Sequence, residues 1–258
     1  MAIEKSTLNI GKTLLSFPSL EEGILLKRYK RFLADVELKS GEMVTAHCAN
    51  TGPMQGVLRV GSRVRLRYCP SPTRKLKWTW EQVEVLGEKN DFCWVGINTS
   101  IANKIVRQAI EYGLLTNELG IISVIRPEVT YGLNGRSRVD FLLKPSENNK
   151  ELKSIYLEVK NTTWAKKSVA IFPDTVTKRG QKHLNELVNV LPTARAVLVF
   201  CIARNDISAF APGDSADMLY ANLFRFAVSK GVEIIPCCFG FYSNKITWEG
   251  TRPFQMHD

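Results

Sequence analysis

Asp140, Glu158 and Lys160 are the residues whose types and spacing best fit a chemical task. In the run from Ser137 to Leu143, apolar and polar residues alternate with the period of a half-buried strand. Val139, Phe141 and Leu143 share one face, and Arg138 and Asp140 point the other way. From Ile155 to Lys160 the pattern repeats: Ile155, Leu157 and Val159 share a face opposite Tyr156, Glu158 and Lys160. The polar stretch Pro145 to Lys150 reads as a turn, so the two runs are expected to form an antiparallel hairpin. Folding it brings Asp140 beside Glu158 and Lys160. Two carboxylates and an ammonium amid aliphatics are costly unless something binds them. Mg²⁺ suits this set, because it is a hard ion that takes one or two protein carboxylates and keeps waters. Asp140 and Glu158 would hold Mg²⁺ or Mn²⁺, with the Val159 carbonyl or its neighbour as a further oxygen. Such an ion lowers the pKa of a bound water and offsets charge on a phosphate. Lys160 can orient that water or stabilise developing charge. Glu128 is the expected third carboxylate, with Glu118 as the other candidate. A plain Glu158–Lys160 salt bridge is the competing explanation, and the strand-turn-strand setting between helices argues against it.

Those helices come next. Ile101 to Leu114 carries an apolar stripe of helical period, capped by Thr99 or Ser100. A strand-like run, Gly120 to Ile125, leads through Arg126-Pro127-Glu128 to Val129-Thr130-Tyr131. Asp174 to Leu191 reads as a helix with Leu184, Leu187, Val188 and Leu191 on its apolar side. Its start offers Lys178 and Lys182 on one face and Arg179 and His183 on another, a favourable place for phosphate. Arg138 adds a cation on the Asp140 side; His183 is equally readable as a hydrogen-bonded structural histidine. Ala196 to Ala203 is a buried central strand, Ser215 to Lys230 a helix stopped by Gly231, and Val232 to Phe239 a closing strand. Residues 99–258 therefore form a mixed α/β domain with helices on both faces of its sheet.

Residues 1–98 read differently. Short β-like segments at 23–29, 32–38, 43–48, 57–58, 63–68 and 82–86 follow one another without an amphipathic helix. Turn signals at Ser40-Gly41, Thr51-Gly52-Pro53 and Gly61-Ser62 separate them. This is the signature of a small OB-like β-barrel. Arg63, Arg65 and Arg67 alternate with Val64, Leu66 and Tyr68, a basic stripe on one strand face. Arg74, Lys75 and Lys77 follow, interleaved with Trp78 and Trp80. Cations mixed with aromatics suit a groove that tracks phosphates and stacks bases. A solvated, Trp-anchored barrel face is the plainer alternative.

The totals agree with a nucleic-acid partner. The 258 residues are 45% apolar and 23% charged, with 35 Lys and Arg against 25 Asp and Glu, a formal net charge of +10. The excess is shared evenly by residues 1–98 and 99–258, which favours polyanions, DNA first and RNA second. No apolar run is long enough for a bilayer span and no secretory signal is evident, so neither a membrane nor export is expected. Six cysteines without a C-x-x-C pair fit reduced structural thiols in a cytoplasm rather than a zinc site. A small-molecule sugar enzyme gains no support, since there is no glycine-rich nucleotide loop and no nucleophile elbow.

Asp140 followed by Glu158-x-Lys160 on the next strand resembles the D…(D/E)xK arrangement of restriction-endonuclease-like nucleases. Longer stretches are similar to the sugar fermentation stimulation protein A (SfsA) family: RYKRFLADV from Arg28, AHCANTGPM from Ala46, Ser137 to Leu143, Leu157 to Thr163, and FPDTVTKRGQKHLNEL from Phe172. The resemblance spans about Leu25 to Phe239. It implies an OB-like domain joined to a nuclease-like domain, DNA binding without marked sequence preference, and a link to sugar (maltose) metabolism. Ala49 departs from the family's expected proline. The resemblance leaves two readings open: a metal-dependent nuclease, or a non-catalytic DNA-binding regulator on the same scaffold.

Overall fold

The computed structural model describes residues 9–88, 90–132, 135, 137–146 and 153–257. Its elements in order are β1 (Thr13–Ser16), β2 (Glu21–Tyr29), β3 (Leu33–Leu38), β4 (Met43–Cys48), β5 (Arg63–Tyr68), β6 (Trp78–Leu86) and β7 (Phe92–Gly96). Then come α1 (Ala102–Glu111), α2 (Thr116–Leu119), β8 (Ile122–Tyr131), β9 (Ser137–Pro145), β10 (Ile155–Thr162), β11 (Ala165–Lys166) and β12 (Val169–Phe172). Last are α3 (Lys178–Val190), β13 (Arg195–Ile202), β14 (Ala209–Pro212), α4 (Met218–Lys230), β15 (Glu233–Phe241) and β16 (Lys245–Thr251).

The first domain is a closed five-stranded barrel. Its strands run β4-β3-β2-β5-β6, and a parallel β4–β6 pairing (Ala46↔Trp78, Cys48↔Trp80) closes the ring. Strand β7 extends it from β6. Alternation decides what faces inward: in β5, Val64 and Leu66 are fully buried while the three arginines point outward. The barrel core also holds Leu25, Val36, Ala46, Trp80 and Val95. Two expectations change here. Residues 57–58 lie in a turn, with Val57 tucked into the core, and β7 is an additional strand beside β6 that the sequence pattern does not show.

The second domain is built on a seven-stranded mixed sheet in the order β1-β16-β15-β13-β10-β9-β8. The central strands β10, β13 and β15 are parallel to one another. Helix α1 covers one face, with Ile105, Val106 and Ala109 packed among Phe141, Leu143, Leu157 and Val199. Helices α3 and α4 cover the other, where Leu184, Leu187 and Phe224 meet Leu198 and Phe200. Covered on both sides, β13 is buried from Ala196 to Ile202 and reads as a continuous apolar run. Strand β1 overturns part of the expected boundary at residue 98: residues 13–16 pair with β16 and belong to the larger sheet, not the barrel. Gly96 N donates to Ala203 O (2.8 Å) and Gln82 Nε2 to Tyr242 O (2.7 Å), joining the domains. Among the described residues, no helix is long and apolar enough to cross a membrane.

Candidate metal centre

The β9–β10 ladder pairs Leu143 with Ile155, Leu142 with Tyr156 and Phe141 with Leu157, and stops there. One step further, the Asp140 side chain takes over: its Oδ2 accepts the Val159 backbone N–H at 2.7 Å. Its Oδ1 accepts from Asn103 Nδ2 of α1 at 2.9 Å. The strand that carries Glu158 and Lys160 meanwhile stays locked to β13, with Glu158 opposite Leu198 and Lys160 opposite Phe200. Glu158 is 3% exposed. Its Oε1 accepts from Lys160 Nζ at 2.7 Å and shares a hydrogen bond with His183 Nδ1 of α3. Arg179 Nε donates to His183 Nε2 at 3.4 Å, which leaves Nδ1–H to donate to Glu158. Glu158 Oε2 is buried with no hydrogen-bond partner.

The two carboxyls are driven apart electrostatically. Burial pushes Asp140 up, and the neighbouring Glu158 charge adds to it, against the Val159 and Asn103 hydrogen bonds. Burial also opposes ionisation of Glu158, yet the His183 hydrogen bond and the Lys160 charge hold it below the usual range. Two neighbouring carboxyls shifted in opposite directions are the pattern that acid–base and metal sites share with buried ion-pair networks.

These residues fit a hard divalent ion. An unpartnered buried carboxylate oxygen is costly by itself, and an ion there would satisfy it. Asp140 keeps lone pairs beyond its two accepted bonds. Among the described residues, no group of three His, Cys, Asp or Glu side chains is arranged to hold a metal. The protein's share would therefore be two carboxylates, as magnesium sites commonly have, with backbone or water oxygens as the rest.

Other expected residues fall in different places. Glu128 lies on β8 across from the Asp140 region, but its backbone is left-handed (φ 53°) and its side chain is 59% exposed. Its partner is Arg138, at 4.0 Å on the rim, so it does not join Glu158 in the buried pocket. Glu118 sits beside Arg195, which pairs with Ile155 three residues before Glu158, about 10 Å along the strand. Lys178, Arg179 and Lys182 are exposed on α3 as expected. His183 is not: at 4% exposure it serves Glu158 and cannot face phosphate beside them.

The arginine stripe of β5 differs most. Arg63 pairs with Glu22 and Glu84, Arg65 with Glu22, and Arg67 with Glu81. Arg65 also lies 3.6 Å from the Trp94 ring centroid, in stacking contact. The stripe is thus neutralised within the barrel. Trp80 is fully buried and donates to Gln82 O, so of the two tryptophans only Trp78, paired with the half-exposed Tyr68, is presented outward. Lys75 and Lys77 are exposed, and Arg74 bonds Thr79.

Nothing in the sequence pointed to Asn103. A crevice of about 160 Å³, lined by Asn50, Thr99, Asn161, Thr163, Trp164 and Asp174, opens where the barrel meets the residues just after Lys160. Arg28 anchors the barrel side of it by donating to the carbonyls of Asn50 (2.8 Å) and Gly52 (2.9 Å).

Comparison with known proteins accounts for both domains. Residues 26–97 match the family model described as the SfsA N-terminal OB domain. Residues 100–245 match that of the sugar fermentation stimulation protein RE domain. A sugar fermentation stimulation protein homolog of Prochlorococcus marinus (strain MIT 9303) is 65% identical over 252 residues, covering 98% of this chain and 96% of the relative. One from Synechococcus sp. (strain CC9605) is 64% identical over 242 residues, 94% of this chain and 95% of the relative. The solved structure of Pyrococcus furiosus SfsA in complex with Ca²⁺ superposes with a TM-score of 0.81 at 26% identity, covering 94% of this chain and 99% of that one. The chain belongs to the sugar fermentation stimulation protein (SfsA) family.

Proposed function

We propose that this protein binds DNA without marked sequence preference and hydrolyses phosphodiester bonds at a divalent-metal site formed by Asp140 and Glu158. The observation that carries the reading is the Glu158 side chain, buried beside Asp140, Lys160 and His183 with one oxygen lacking any partner. Mg²⁺ or Mn²⁺ is the expected ion, and a relative's structure was solved with Ca²⁺, another hard oxygen-seeking cation. When bound, the ion would supply Lewis acidity for the nucleophile and the scissile phosphate. Asn103 and the Val159 N–H orient Asp140; His183 and Lys160 orient Glu158. Lys160, 13% exposed at its side chain, also brings a fixed positive charge to the place where phosphate charge would develop. Exposed Lys178, Arg179 and Lys182 on α3, with Arg138 on the rim, supply the phosphate grip, and RNA is a second substrate class for the same grip. From the barrel, Lys75 and Lys77 with the Tyr68–Trp78 ring pair are the better contact surface than the compensated arginines.

A second reading has its own observation. Both Asp140 oxygens and Glu158 Oε1 already hold internal hydrogen bonds, as they would in a DNA-binding regulator of sugar (maltose) metabolism with an inactive site. Incubation with single- and double-stranded DNA and RNA, with Mg²⁺ or Mn²⁺, separates the two. The wild-type protein is expected to cut, Asp140→Ala to abolish cutting, and Lys160→Ala to slow it roughly 10²- to 10³-fold. Cutting that survives both substitutions would move the chemistry elsewhere, and binding without cutting would establish the regulator.

A further inference from the structure

Next to the Asp140–Glu158 pair, three more polar groups lie buried that no step above uses. Glu186 is one helical turn beyond His183 on the buried side of α3, and its side chain is 11% exposed. Its Oε1 accepts from Ser137 Oγ at 2.6 Å and lies 3.5 Å from Lys182 Nζ. Its Oε2 is buried without a partner. The backbone makes room for this carboxylate: Gly132 has φ +80°, and a Cβ there would stand 2.9 Å from Glu186 Oε1. Tyr131, directly before that glycine and opposite Ser137 in the β8–β9 ladder, is 6% exposed, and its hydroxyl too has no partner. The Tyr131 ring packs on Tyr156, centroids 5.5 Å apart, and Tyr156 stands two residues before Glu158 on the same side of β10.

A buried hydroxyl and two buried carboxylate oxygens, all unpartnered, thus lie on the neighbouring elements β8, β10 and α3. Burial holds the Tyr131 hydroxyl well above its ordinary range, and the charges of Glu158, Glu186 and Asp140 push it further, so it keeps its proton. Packing alone gives no reason to leave such groups together without partners. Nor do they form a third direct ligand, since no three acidic or imidazole side chains of the described residues are arranged for one.

We infer that Glu186, held by Ser137, and the Tyr131 hydroxyl form an outer polar wall of the metal centre, hydrogen-bonded to the water shell of a divalent ion carried by Asp140 and Glu158. Magnesium-like ions keep several waters, and those waters need oriented acceptors and donors. Groups at one remove from a metal commonly set its affinity by about 10- to 100-fold. This inference rests on the proposed metal site and names which of the chain's own residues complete it. It also replaces Glu128 by Glu186 as the further acidic contributor.

Isothermal titration of the full-length protein with Mn²⁺ alone, in the absence of nucleic acid, tests it. Glu186→Gln keeps the shape and the Ser137 contact but removes the charge, and is expected to weaken Mn²⁺ binding about tenfold or more. Tyr131→Phe removes only a hydroxyl and is expected to weaken it a few-fold. Glu128→Gln, which removes a charge from the rim, is expected to leave affinity within twofold. Wild-type affinity in both Glu186→Gln and Tyr131→Phe would overturn the inference, as would an equal loss in Glu128→Gln, which would mark a general charge effect. Should Glu186→Gln fold poorly, the isosteric Tyr131→Phe decides alone. A wild-type protein that binds no Mn²⁺ would instead remove the metal site itself, a different failure.

Discussion

Lys160 and His183 meet at one oxygen of Glu158, and this sharing governs how the site tolerates substitution. A buried carboxylate stripped of a charge-assisting donor is left with its desolvation cost, about 1–3 kcal/mol. His183→Ala is therefore expected to lower unfolding free energy by at least that much, since the 4%-exposed ring also leaves a gap. In a Glu158→Gln background the same change should cost less, because the charge it served is gone. Urea unfolding of the two single variants, the double variant and the wild type measures the coupling, expected at roughly 1–3 kcal/mol. Strictly additive losses would show that the histidine merely fills space. The Asp140/Glu158/Lys160 set was readable in advance because two-residue periodicity fixes which side chains share a strand face. The His183 contact was not, because it spans 25 residues and depends on how far α3 is rotated on the sheet.

Asp217 ties the starts of the two outer helices together. Its carboxylate caps α4 by accepting from Tyr220 N (2.9 Å), and it also takes Thr177 N (2.8 Å) and Gln181 Nε2 at the head of α3. Thr177 in turn caps α3 through Gly180 N. Asp217→Ala removes a cap worth about 0.5–2 kcal/mol and, at 4% exposure, leaves buried donors behind. A loss of about 2–4 kcal/mol is expected on those terms, with hydrogen exchange rising first in the opening turn of α3. Unchanged protection there would mean that Asp217 supports α4 alone. Long amphipathic or apolar stretches such as α1, α3, β13 and α4 were legible from periodicity. The sequence pattern starts this helix at Asp174, a good cap by type, whereas in the structure the chain turns helical only after Thr177, which supplies the cap. The short strands β1, β11, β12, β14 and β16 have no legible sequence pattern. Two to seven residues carry little periodicity, and β1 and β14 in addition pair with segments far off in sequence, β1 with β16 and β14 with β12.

At the scale of the whole molecule, net charge and single basic runs carry different information. The +10 total survives folding, but where it is available to a polyanion depends on which cations already have partners. Glu22 gathers Lys39, Arg63 and Arg65, and those contacts, the Lys39 bond foremost, hold its pKa down to about 2 despite partial burial. Charge alternation along β5 looked like a phosphate track because the acids opposing it lie on other strands, β2 and β6, which single-strand patterning cannot pair. Cations without a carboxylate partner among the described residues stand instead near the second domain's site, where Lys178 and Arg179 are exposed at the head of α3 and Arg179 bonds only the His183 ring. Each cation that neutralises a phosphate releases a counterion, so log K for DNA falls with log salt by about 0.9 per contact. The double variant Lys178→Ala/Arg179→Ala should therefore weaken binding at all sequences tested and reduce that slope by about 2, whereas Arg63→Ala should leave it unchanged. Fluorescence anisotropy with a labelled duplex, from 50 to about 300 mM salt, reads both quantities over the range where such slopes are measured. If Arg63→Ala flattens the slope and the α3 variant does not, the barrel stripe is the DNA track after all, and Glu22 and Glu84 must release it on binding.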